Sequence, residues 1–332
     1  MQIFRDANFN FIQWRWHAIA LSVLVVLGGI GLMVSRGGLP LGVDFSGGSI
    51  LIVKFGQPTT VQDVRSAVSR AIVTEFVVQS YGQPEDNEVL IRLPQIQREE
   101  EGANLEDDAE AVFAALRAAG LPEFEVVGTE IVGPVIGAEL QRKGVYATLA
   151  SLVGIALYIT LRFRPSFAVG AVVATLHDIL VTLAFISFFG YELSLNVVAA
   201  ILAITGYSVN DTIVVFDRVR ENLRTMRRDA LEQVVNRAVN QTLARTIITA
   251  GTTFFAVLML YLFGGEVLHG FAFTMLVGIA SGTYSTVFIA AAIAIMLSKR
   301  KAAAREAVAG APAAQAPPPS RERSKSRKAR AS

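Results

Sequence analysis

The sequence predicts an α-helical membrane protein of six transmembrane helices, with an α+β ferredoxin-like extracytoplasmic domain between helices 1 and 2. Three observations predict it. Apolar residues make up 52% of the chain and charged residues only 17%, with a mean hydropathy of +0.47. That balance belongs to an integral membrane protein rather than a soluble domain. Six apolar runs, at 17–34, about 145–161, 167–189, 193–216, 246–263 and 271–297, each reach the roughly 17–25 residues needed to cross a bilayer. Between the first two lies an acid-rich stretch, 35–144, whose elements read β-α-β-β-α-β, the order of two helices covering one face of an antiparallel sheet.

Residues 1–16 are polar, with Arg5 and Arg15 flanking Phe9, Phe11, Trp14 and Trp16; tryptophans there suit the membrane–water boundary. The run 17–34 is long for a signal-peptide core and no A-x-A site follows it, so it reads as an uncleaved anchor. In the outer segment, GSILIVKF (48–55) is a strand and 59–71 a helix with Thr59 or Thr60 as N-cap. EFVVQSY (75–81) and EVLIRL (88–93) are strands separated by the turn-rich GQPEDN. An acidic loop over 99–108, a helix over 110–119 and a strand, EFEVVGTEIV (123–132), complete the unit. The chain has no cysteine, so the outer domain is held by packing alone and thiolate metal sites are excluded. In the last span Thr274, Gly278, Gly282 and Thr286 place a small residue at every fourth position, a close-packing face. After Ser298 the Ala/Pro-rich, then basic tail (298–332) reads as disordered.

Basic residues set the orientation. Arg162 and Arg164 share one short loop, seven arginines fall between Arg218 and Arg245, and ten Lys or Arg follow Ser298; the loops 190–192 and 264–269 carry none. The positive-inside rule then places both termini in the cytoplasm and the ferredoxin-like domain outside. The arginines from Arg218 to Arg237 would meet anionic membrane lipid or an acidic cytosolic partner; nucleic acid is not an expected partner.

The most informative stretch is NVVAAILAITGYSVNDTIVVFDRVREN (196–222), an apolar run that carries Thr205, Ser208, Asn210 and Asp211. A carboxylate costs roughly 2.5–3.5 kcal/mol to insert at a helix centre, so it needs a partner, a proton or a water-filled cavity. Thr205, Ser208 and Asp211 or Thr212 recur at helical spacing and are expected to form one polar stripe. Asp211 is either a structural carboxylate or a proton or ion site. Arg245 opens the fifth span and shares a helical face with Thr249 and Thr252 or Thr253. It is the natural partner of Asp211, or else it snorkels to the headgroups. His177–Asp178, within the third span, is a relay or a packing pair; no further ligand stands at metal spacing. Asp217, Arg218, Arg220 and Glu221 read as a solvated helix end. The glycines of GVDFSGG (42–48) suggest tight turns or close backbone approach, with phosphate binding as the sharper alternative. No G-x-x-x-x-G-K-[ST] follows them, and the outer segment has no histidine, so no hydrolytic enzyme is expected.

GVDFSGGS (42–49), VGPVIGAEL (132–140), FRPSFAVGAVVATLHDILVT (163–182), GYSVNDTIVVFDRVREN (206–222) and NQTLARTIITAGTT (240–253) resemble the motifs of the SecF family of protein-export membrane proteins, over about residues 1–300. That family is related to one half of the resistance–nodulation–division transporters. The resemblance implies a bacterial inner-membrane protein that pairs with SecD beside the SecYEG channel, with YajC as accessory. It implies use of the proton-motive force to help preproteins outward. No cofactor is implied. The family's proton-pathway aspartate and arginine fall on Asp211 and Arg245, with Asn210 and Thr249 as polar neighbours and Asp178 as a further carry-over. Half of a small-molecule or lipid exporter, or a scaffold that only stabilises SecD, are the alternatives.

Overall fold

Residues 8–70, 76–94 and 105–309 are described by the computed structural model; the expectations for Arg5, for 99–104 and for 310–332 lie outside the described residues. An extended entry and a short 3-10 turn lead into the first membrane helix, α1 (Arg15–Ser35). The entry is strapped to a distant helix: Asn240 Oδ1 accepts the Phe9 N–H at 2.8 Å, while the Asn236 and Asn240 amides donate to the Phe9 carbonyl at 3.0 and 2.9 Å. Aromatic residues at the boundary are thus fixed by backbone hydrogen bonds as well as by lipid.

The outer domain begins with a single helical turn, α2 (Val43–Ser46), and strand β1 (Gly48–Phe55). Helix α3 (Val61–Val68) follows, with Thr60 as the N-cap accepting from the Asp63 N–H. Next come β2 (Val77–Tyr81), β3 (Glu88–Pro94), α4 (Leu105–Ala118) and β4 (Phe124–Val132). The strands form one antiparallel sheet in the order β2-β3-β1-β4, with Leu51 opposite Ile91 and Val53 opposite Val89. Alternation does the sorting. Leu51, Val53, Phe55, Val89 and Ile91 point to the side covered by Val64 and Val68 of α3 and Val112 and Leu116 of α4. Ile50, Ile52, Gln79, Leu90 and Arg92 point the other way, into a cleft of about 740 Å³ between the sheet and the outer ends of the membrane helices. Helix α4 already covers Leu105 to Glu110, ahead of the expected 110, so the described end of the acidic stretch is helical.

Six helices are long and apolar enough to cross a membrane. After α1 these are α5 (Pro134–Arg162), α6 (Pro165–Phe189), α7 (Leu195–Thr225), α8 (Leu231–Phe263) and the pair α9 (Glu266–Ser285) and α10 (Ala291–Ala309), joined by a π-helical turn, Thr286–Ala290. Several outrun their apolar runs: α5 starts at Pro134 rather than near 145, and α8 at Leu231 rather than 246. A hydropathy run marks only the length that lipid requires, and the helix continues into water on polar turns. The same reason corrects the tail, because helix α10 extends through residues 298–309.

α6, α7 and the α9–α10 helix form the centre, whereas α5 and α8 are mostly uncovered in this chain. The expected small-residue face packs α7: Gly278 lies over Ile204 and Gly282 over Ser208. A second close approach has a sharper consequence. A Cβ at Gly170 of α6 would stand 2.6 Å from the carbonyl oxygen of Ala290, the last residue of the π turn. Backbone cannot yield as a flexible side chain does, and overpacking costs about 1–3 kcal/mol. Gly170→Ala is therefore expected to lower the thermal midpoint in detergent; an unchanged midpoint would show that the α6–π-turn contact is slack.

Candidate functional site

α7 carries polar side chains on two faces, which separates what spacing alone merged. Thr205, Ser208 and Thr212 are buried on one face. Thr212 Oγ1 meets Thr286 Oγ1 of the π turn at 2.8 Å, and Thr205 returns its hydroxyl to the Ile201 carbonyl at 2.7 Å. Asp211 is not the continuation of that stripe. It turns to α8, where Thr246 donates its hydroxyl to Asp211 Oδ1 at 2.7 Å.

The second carboxylate oxygen, Oδ2, is buried and has no hydrogen-bond partner among the described residues. It lies beside a small cavity of about 40 Å³ lined by Tyr207, Asn210, Asp211, Arg245, Thr246, Thr249 and Thr283. The Tyr207 hydroxyl is likewise buried without a partner. A cavity of this size holds water at the ~10–15 Å³ needed per molecule. An unsatisfied carboxylate oxygen in an apolar medium is costly, and hydration is the simplest remedy.

Arg245 acts on Asp211 electrostatically, but no ion pair within 4 Å joins them among the described residues. The direct partner is the next residue, Thr246, which spacing arguments passed over in favour of the charged neighbour. Thr249 Oγ1 bonds to the Arg245 and Thr246 carbonyls at 2.8 and 3.1 Å rather than to Asp211. Asn210, Arg245 and Thr249 are exposed in this chain. A polar face of this kind, halfway along membrane helices, is incompatible with lipid contact and calls for another protein surface or water.

Asp178 belongs to a different cluster. It is 1% exposed and accepts hydrogen bonds from Ser208 of α7 (2.5 Å) and from Ser281 and Ser285 of α9 (2.8 and 2.7 Å). His177 Nδ1 approaches Oδ1 at 3.1 Å, so the imidazole carries its proton on Nδ1 when it donates. Both carboxylate oxygens are saturated by protein donors, which take the place of water. Ser208 stands 30 residues from Asp178, and Ser281 and Ser285 more than 100; of the three, only Ser208 was legible in the sequence, as part of the polar stripe. His177 Nε2 is buried without a partner among the described residues, and His177 lines a largely apolar crevice of about 410 Å³ between α1, α6 and α9. The structure therefore brings Asp211, Arg245, Asn210 and Thr249 around one cavity and leaves Asp178 outside it. No group of three metal-ligating side chains occurs among the described residues.

At the charged end of α7, three of the four expected helix-end charges are paired: Arg162 reaches both oxygens of Asp217 at 2.9 and 3.1 Å, and Arg218 contacts Glu221 at 2.6 Å and Gln241 at 2.8 Å. Exposed pairs of this type contribute little to stability.

Two family models match the chain: the SecD/SecF GG motif over residues 34–59, and the C-terminal region of protein export membrane protein SecD/SecF over 112–300. The chain is 41% identical over 283 residues to protein translocase subunit SecF of Desulfurispirillum indicum, covering 84% of this chain and 88% of that one. To the subunit of the same name in Escherichia coli O157:H7 it is 37% identical over 293 residues, covering 88% and 89%. Among solved structures, it superposes on the translocon-associated membrane protein SecDF of Thermus thermophilus with a TM-score of 0.79 at 33% identity, covering 90% of this chain. Against SecDF in a super-membrane-facing form the TM-score is 0.67 at 33% identity, covering 91%. The chain spans 40% of each of those SecDF chains.

Proposed function

Because this chain belongs to the SecD/SecF family of protein-export membrane proteins, we propose that it is the half of a SecD–SecF pair in which Asp211 takes up and releases the protons that drive late export. The observation that carries this reading is the half-satisfied carboxylate of Asp211. One oxygen is held by Thr246, while the other is buried without a partner beside a cavity lined by Arg245, Asn210 and Thr249. A carboxylate kept only for structure is expected to have both oxygens satisfied, as Asp178 has. A group that changes protonation needs one oxygen free to receive the proton.

The uncovered polar face of α7 and α8, together with the 40% of the solved SecDF chain that this one spans, supports SecD as the partner that closes the site. With both termini cytoplasmic and the sheet outside the bacterial inner membrane, Asp211 lies within reach of protons moving inward. Each proton crossing 100 mV releases about 2.3 kcal/mol, enough to bias two arrangements of a domain that contacts emerging preprotein. SecYEG and YajC are the neighbouring components on this reading, and membrane lipid neutralises the arginines at the cytoplasmic ends.

The test follows export of a secreted reporter while the proton gradient is set and collapsed. Arg245→Gln is expected to abolish the increment that the gradient adds and to leave the gradient-independent rate unchanged, with SecD still co-purifying. An increment that survives the substitution would overturn the relay.

A further inference from the structure

We propose that residues 40–48, the glycine-rich segment, form a rigid joint through which α7 moves the outer domain, with Asp44 as its positioning residue. The idea rests on the reading that Asp211 is the proton site, because Asp211 and Asp44 act on the same helix.

The first four N–H groups of any helix lack partners inside it. In α7, Ser194 accepts the Val197 N–H at 3.3 Å, the usual N-cap contact. The Leu195 N–H is taken by Asp44 Oδ2 at 2.8 Å, from a residue 151 positions away. A carboxylate there also faces the positive end of the helix dipole. The contact is therefore a cap supplied by another domain.

The backbone around it is locked as well. Gly42 N–H donates to the Leu193 carbonyl at 2.9 Å, and Leu193 N–H donates to the Pro40 carbonyl at 2.7 Å. These bonds pair Leu41 with Leu193 in a parallel bridge. A Cβ at Gly42 would stand 3.2 Å from the Leu193 carbonyl oxygen, which gives this glycine its reason. One step earlier, Glu192 forms an ion pair with Arg92 of β3, so the same loop is held to the sheet at a second place. Burial pulls Arg92 below the ordinary arginine pKa, and a carboxylate partner offsets that cost.

The path onward to the sheet contains no slack. Val43 and Phe45 of α2 are buried, and Ser46 returns its hydroxyl to the Gly42 carbonyl at 3.0 Å. Gly48 opens β1, paired to Pro94 on one side and Val132 on the other. Asp211 lies sixteen residues along α7 from Leu195, about 24 Å at 1.5 Å per residue. Helix, cap, turn and sheet thus form a continuous stiff link from the buried carboxylate to the outer domain. Neither phosphate binding nor a flexible tether fits a segment whose Gly42 packs against the Leu193 carbonyl and whose one acid is already engaged.

The natural absence of cysteine makes the test clean. Leu41→Cys with Leu193→Cys places two thiols across a parallel bridge, a spacing within disulfide range. Oxidation is expected to leave export in cells unchanged, because the joint never opens. Asp44→Ala is expected to reduce gradient-dependent export about tenfold while proton entry into vesicles continues, and Asp44→Asn, which still accepts from Leu195, is expected to restore it. Export that stops on cross-linking, or that runs at the wild-type rate in Asp44→Ala, would overturn the joint. Full export by Asp211→Asn would remove the proton reading alone, since the cross-link and the Asp44 variants report on the joint whatever drives it.

Discussion

Asp211→Asn is expected to reduce gradient-dependent export on the order of 10²-fold, the scale on which positioned proton-transfer groups act. The substitution is close to isosteric. Its carbonyl oxygen keeps the 2.7 Å hydrogen bond from Thr246, and a neutral amide costs less than a carboxylate to hold in the membrane, so the fold is retained. What disappears is the proton-accepting oxygen on the cavity side. Reporter export measured with and without a protonophore separates the outcomes. A variant that keeps its protonophore-sensitive increment would show that Asp211 does not carry the proton. If export falls only in proportion to SecD abundance, the chain is a scaffold for SecD, and the two rates must therefore be read beside immunoblots of both chains.

The features legible in the sequence are those set by short-range rules. Apolar run length marked the six spans, and the segment GSILIVKF, read as a strand over 48–55, is β1 at Gly48–Phe55. A cap at Thr59 or Thr60 was readable because capping needs only neighbouring residues, and Thr60 is the one that caps. The details of the site were less legible, since they depend on which faces meet. Spacing could not separate Asp211 from Thr212, one residue apart on α7; packing sends Thr212 to the π turn and Asp211 to α8. It likewise favoured Arg245 over Thr246, because charge suggests attraction whereas the hydroxyl supplies the contact. The partners of Asp178 and Asp44 are 30 to 151 residues distant, and no local pattern announces them. Each lies at the end of a chain of tertiary choices, which is also why these two carboxylates distinguish structure from transport most sharply.

Asp178→Ala is expected to be the most destabilising single change. Removing it leaves the hydroxyls of Ser208 and Ser281 and the Nδ1 of His177 without their acceptor in a region closed to water, and leaves Ser285 with only the Gly282 carbonyl at 3.2 Å. Each donor left unsatisfied costs about 1–3 kcal/mol unless it relaxes to another acceptor, and the truncated side chain leaves a cavity besides. Against a total stability of roughly 5–15 kcal/mol, this suffices to deplete the folded chain. Accumulation in membranes and the unfolding midpoint in detergent would both report it. Asp178→Asn keeps an acceptor and is expected to fall between. Rescue decides the interpretation: with Ser208, Ser281 and Ser285 also changed to Ala, the orphaned hydroxyls are gone and Asp178→Leu is expected to recover most of the lost stability, since replacing both partners by apolar groups can be nearly neutral. A rescued chain that exports normally identifies Asp178 as a tie between α6, α7 and α9. One that folds fully yet loses the gradient-dependent increment, as Asp211→Asn is expected to, would instead place Asp178 on the proton path, with His177 Nε2 as the next atom to receive the proton.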